Sequence, residues 1–104
     1  MGFAEHSTPE TRGKQEMHEL VRATFAALEE AELGDLVLDL RDRVFAHDPD
    51  QLLETTIENG VCQWSFKPMV ELMLRHVLDL AANDRIPAHE RRLEIPAAIE
   101  LAGF

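Results

Sequence analysis

Apolar positions recur at helical spacing along most of the chain. From Lys14 onward, Met17, Leu20, Val21, Thr24, Phe25 and Leu28 fall on one face, and Glu19, Arg22, Glu29 and Glu30 on the other. Ser7 and Thr8 can cap this helix, and Pro9 suits its first position. Gly13 weakens the opening turns, which places the firm start near Lys14, and Gly34 is expected to end it. Asp35 can cap a second helix in which Leu36, Val37, Leu40 and Val44 share a face bordered by Phe45. The short run Leu36–Leu40 also reads as a strand. Asp48-Pro49 signals a third helix, with Leu52, Leu53, Thr56 and Ile57 as its buried stripe and Asn59-Gly60 as its end.

The pattern then changes. Val61 to Phe66 alternates, with Cys62, Trp64 and Phe66 on one side and Val61, Gln63 and Ser65 on the other. This is a short strand or an extended segment anchoring its aromatics. Pro68 opens the most apolar segment, Pro68–Ala82, where Val70, Leu72, Met73, Leu74, Val77, Leu78 and Leu80 cover most of the circumference. Only Glu71, Arg75 and Asp79 form a polar strip, spaced for neighbouring ion pairs. A helix apolar on most sides belongs at the centre of a bundle. Asn83-Asp84 breaks it, and Pro87 and Pro96 open two short segments, Pro87–Leu93 and Pro96–Ala102.

The pattern therefore predicts an all-α fold: a bundle of four principal helices plus one or two short C-terminal ones. Residues 1–8 form a lead-in, and 9–104 a single helical domain. The alternative is α+β, with Leu36–Leu40 and Val61–Phe66 paired as a two-stranded sheet. The expected core is Leu20, Phe25, Leu28, Leu40, Val44, Leu53, Ile57, Leu72, Met73, Val77 and Leu80.

Charge adds an asymmetry. The net charge is −10, and residues 1–60 carry 14 acidic and 5 basic side chains against 6 and 5 in residues 61–104. Direct binding to nucleic-acid phosphates or anionic membranes needs clustered Lys and Arg, so neither is expected. A basic protein partner suits the acidic half, and Glu19, Glu29, Glu30, Asp39 and Asp42 are its candidate contacts. A single cysteine, Cys62, forms no internal disulfide and points to the cytoplasm. No apolar run is long enough to span a membrane.

Candidate chemistry is sparse. The histidines His6, His18, His47, His76 and His89 include no pair at i, i+4. The cluster His47, Asp48, Asp50 and Glu54 offers metal-type donors, but a helix cap and a solvated first turn account for it, so no metal is expected. His76, between Leu72 and Leu80, reads as a core histidine. Phosphate-binding glycine loops and a nucleophile elbow are absent, and tyrosine is missing altogether.

Ser65-Phe66, then Val70-Glu71-Leu72, then Ile86-Pro87 before a terminal helix, resembles an acyl carrier protein over about residues 60–104. The resemblance implies a serine at the start of a main helix, here Ser65, carrying a phosphopantetheine arm. Trp64 stands where that family has Asp, and Val70-Glu71-Leu72 lies one residue too far from Ser65. The carrier domain is therefore the alternative. The first reading is a small, acidic, non-catalytic protein-interaction module without cofactor, in which Trp64 and Phe66 serve as aromatic anchors. A small subunit or accessory domain of an enzyme is a further alternative, and homo-oligomerisation is left open.

Overall fold

The computed structural model describes residues 9–104. The expected caps Ser7 and Thr8 lie outside them. The elements run α1 (Pro9–Glu30), α2 (Gly34–Arg43), α3 (Pro49–Leu52), β1 (Leu53–Glu58), β2 (Val61–Phe66), α4 (Pro68–Ala82) and α5 (Ala88–Leu101). The fold is helix-dominated with one two-stranded antiparallel sheet, which corresponds to the α+β alternative rather than to an all-α bundle.

The sheet is not built from the expected pair. Leu36–Leu40 is helical and belongs to α2, where Leu36 and Leu40 are buried. The partner of β2 is β1, in the register Leu53↔Phe66, Thr55↔Trp64 and Ile57↔Cys62. The expected third helix lasts one turn, Pro49–Leu52, before the chain extends. Two local preferences account for this. Thr55, Thr56 and Ile57 are β-branched and favour extended backbone. Asn59 and Gly60 both adopt positive φ, +54° and +77°, as a two-residue type I′ hairpin turn requires. Asn59-Gly60 thus joins two strands instead of ending a helix. The Lys67 N–H donates to the Leu52 carbonyl at 2.8 Å and closes the open end of the hairpin.

Gly60 has open space around it, so backbone conformation alone limits what can replace it. Gly60→Ala should destabilise the protein by about 1–2 kcal/mol, the cost of a Cβ in left-handed backbone. Chemical denaturation checks this, and a value near zero would mean that the turn relaxes into another type.

Helix α1 ends earlier than Gly34, at a Schellman motif. Leu33 N–H donates to the Leu28 carbonyl at 2.7 Å, Glu32 N–H donates to Glu29, and Glu32 sits at φ +62°. Leu28 and Leu33 are both buried, which supplies the apolar contact of this motif. Gly34 instead begins α2, and Asp35 makes no cap hydrogen bond. Its carboxylate accepts from Arg92 Nη1 at 2.6 Å and ties α2 to α5. The two expected C-terminal segments are one helix with Pro96 inside it. Pro96 removes one backbone hydrogen bond. Burial of Arg91, Ile95, Ala98 and Ile99 on one face of α5 offsets that loss. The helix closes on a second Schellman motif, with Gly103 at φ +95° and Phe104 N–H donating to the Ile99 carbonyl.

Helix α4 spans the expected Pro68–Ala82 and supplies Val70, Met73, Leu74, Val77, Leu80 and Ala81 to the core. Around it pack Leu28 and Leu33, then Leu36, Leu40 and Val44, then Ile95 and Ile99. Leu20, Phe25 and Leu53 are half-buried against this cluster. Two expected core residues are not in it. Ile57 is 80% exposed because β1 packs mainly against β2 and not against the long helices, and Leu72 is 66% exposed because one flank of α4 is left uncovered. His76, expected in the core, is exposed on that same flank. No described helix is long and apolar enough to cross a membrane.

Candidate functional site

Strand β2 lies against α1, and α4 follows it directly, so the three elements enclose a groove of about 370 Å³. Glu16, Glu19, Leu20 and Ala23 line it from α1, at the i, i+3, i+4, i+7 spacing of one helix face. Gln63, Trp64, Ser65 and Phe66 form the β2 wall, and Glu71, Arg75 and Leu78 the α4 wall. The groove therefore holds three carboxylates and one guanidinium. That guanidinium is engaged within the groove, since Arg75 Nη2 donates to Glu71 Oε1 at 3.1 Å. Both partners are largely exposed, so this pair adds little stability and leaves the local charge negative.

Trp64 and Phe66 are half-buried, held by the ladder opposite Thr55 and Leu53. Phe66 and Met17 also line a second hollow of about 330 Å³, shared with His18, Val21, Phe45, His47, Pro49, Leu52 and Leu53. The two depressions thus meet at Phe66 and Met17, one lined by acidic side chains and the other mostly by apolar ones. Three carboxylates that share a groove with an indole suit a cationic side chain, which the carboxylates attract.

The structure gathers only part of the expected contact set. Glu19, Trp64 and Phe66 share the groove. Glu29 and Glu30 are exposed about 15 Å further along α1, at 1.5 Å rise per residue, and line none of it. Asp39 and Asp42 belong to α2 and are likewise absent from the groove. Glu16, Gln63, Glu71 and Arg75 were not among the expected contacts. The spacing of Glu16 and Glu19 could have suggested the first. Nothing local reveals that Glu71 faces α1.

Ser65 lies within β2, opposite Glu54, and Lys67 occupies the position before α4. The serine is therefore not at the helix start that the acyl carrier resemblance implies, nor does it cap α4. Cys62 is exposed near the hairpin tip. His47 packs edge-on against Phe104 with ring centroids 5.1 Å apart. Among the described residues, no three His, Cys, Asp or Glu side chains come together in a group that could hold a metal ion. Comparison of the chain with protein-family models, with curated proteins and with solved structures gives no significant match.

Proposed function

We propose that this chain is a non-catalytic interaction module that takes a basic segment of a partner protein into the groove between α1, β2 and α4. The observation that carries this reading is that Glu16, Glu19 and Glu71 line one groove together with the half-buried Trp64. A Lys or Arg side chain entering there meets opposite charge. The acidic surplus on residues 1–60 speeds the approach of a basic partner and disfavours nucleic acid and anionic membranes. The cytoplasm is the proposed compartment, on the strength of the single thiol.

The test uses the protein's own reporter. Trp64 is the only tryptophan, so its fluorescence reads occupancy of the groove. Titration with an arginine-rich peptide should change that emission saturably, and a glutamate-rich peptide of equal length should not. Affinity should fall as salt screens the charges. Reversing Glu16 and Glu19 to Lys should weaken binding on the order of tenfold or more, because like charge replaces opposite charge at the contact. Reversing Asp39 and Asp42 should have a much smaller effect. If all variants bind alike, or if Trp64 does not respond, the groove is not the binding site.

A further inference from the structure

A third hollow, of about 420 Å³, lies where the ends of α1 and α4 meet the first turn of α5. Ala27 and Ala31 line it from the α1 side and Ala81 and Ala82 from α4, and their small side chains leave the space open. Its polar lining is one guanidinium, Arg91, and two carboxylates, Glu30 and Asp84. These charges are not paired with one another. The salt bridges among the described residues are Arg43–Glu100, Arg75–Glu71 and Arg92–Asp35. Arg91 is nine-tenths buried, and buried donors ordinarily have partners. Here Nη2 donates to the Asn83 carbonyl, while Nε–H has no partner among the described residues. Helix α4 ends at the same place, and the last carbonyls of a helix lack intrahelical donors and carry the negative end of its dipole. The hollow thus joins one under-used buried cation to a set of unpaired acceptors.

We propose that this hollow binds a free α-amino acid in its zwitterionic form. The Arg91 guanidinium takes the ligand's carboxylate through its unengaged donors, a pairing that its planar geometry favours. Glu30, Asp84 and the terminal carbonyls of α4 take the ammonium group, which has three N–H donors to distribute among them. Neither half of the ligand suffices. A simple carboxylate meets Arg91 but is repelled by Glu30 and Asp84. A simple amine satisfies the acceptors but leaves the buried guanidinium without an added partner. A ligand that carries both charges one carbon apart answers the whole lining. This hollow and the acidic groove share no residue, so the amino acid binds independently of the basic segment proposed for the groove.

Titration calorimetry with L-alanine tests the proposal, with L-alaninamide and propionate as its two halves, while heteronuclear NMR follows the Arg91 Nε–H signal. L-alanine should bind saturably, shift that signal and raise the melting temperature, since it binds the folded state. Alaninamide and propionate should each bind on the order of tenfold or more weakly, because each leaves one set of charges unanswered. Arg91→Met keeps the stem without the guanidinium and should weaken alanine binding by a similar factor, with circular dichroism to confirm its fold. Glu30→Gln combined with Asp84→Asn alters only exposed side chains, so it tests the site without touching the packed interior. That double variant should weaken alanine and alaninamide alike and leave propionate binding no weaker than before. Asp42→Asn, exposed on α2, should change nothing. The proposal is overturned if alanine does not bind, if either half binds as tightly as alanine, or if the folded Arg91→Met and double variants bind alanine as the wild type does.

Discussion

Leu74→Ala should cost about 2–5 kcal/mol of folding stability, whereas Leu72→Ala, two residues away on the same helix, should change it by about 0.5 kcal/mol or less. The two leucines are equally apolar and share the same intrinsic helix propensity, so the contrast isolates burial. Leu74 is fully buried, while Leu72 is 66% exposed beside Met69 and His76. Truncating Leu74 removes its transfer free energy and leaves a cavity that the surrounding Leu, Val and Ile side chains can only partly close. Truncating Leu72 mainly exchanges one solvated surface for a smaller one. Urea denaturation reads both values. Comparable losses at the two positions would mean that α4 is covered on both flanks in the folded monomer.

That contrast marks where the chain's pattern is informative about structure and where it stops. The bounds of α4 follow from Pro68 and Asn83, because a proline start and a polar break act locally. Its nearly all-round apolar character suggested burial on every side, which placed Leu72 and His76 inside. A helix of this kind can also leave one flank open to solvent, and hydrophobic period alone does not separate the two cases. The hairpin was legible in principle. Asn59-Gly60 between β-branched positions is a strong local signal, but Leu52, Leu53, Thr56 and Ile57 also fit a helical stripe, and that reading hid it. Pro96 misled in the opposite direction. The burial of Ile95 and Ile99 against α4 keeps α5 continuous through it, and no local rule contains that tertiary contribution. The groove was half legible. Glu19, Trp64 and Phe66 stand out by charge and aromaticity, but Glu71 joins them only because β2 turns directly into α4 beside α1.

Arg91 supports the second large prediction, and it shows which part of a buried cation stabilises a fold. It is only 9% exposed, where an arginine is unusual. One guanidinium nitrogen donates to the Asn83 carbonyl at the end of α4, and Nε has no partner among the described residues. The side chain borders a hollow lined by Ala27, Ala31, Ala81 and Ala82, whose small side chains leave room for its stem, and by the carboxylates Glu30 and Asp84. The hydrogen bond contributes about 1.5–3 kcal/mol as a charge-assisted contact, while the unpartnered Nε–H costs about 1–3 kcal/mol in lost hydration. These two effects nearly cancel, which leaves the packing of the stem as the net stabilising contribution. Arg91→Met keeps most of the stem and removes both polar effects, so it should change stability by about 1 kcal/mol or less in either direction. Arg91→Ala removes the stem as well, opens space between α1, α4 and α5, and should be less stable than the methionine variant by about 2 kcal/mol or more. Thermal and urea unfolding of the two variants measure that difference. If methionine proves as damaging as alanine, the bond to the Asn83 carbonyl outweighs the packing, and the junction between α4 and α5 is held by polar contact rather than by the apolar stem.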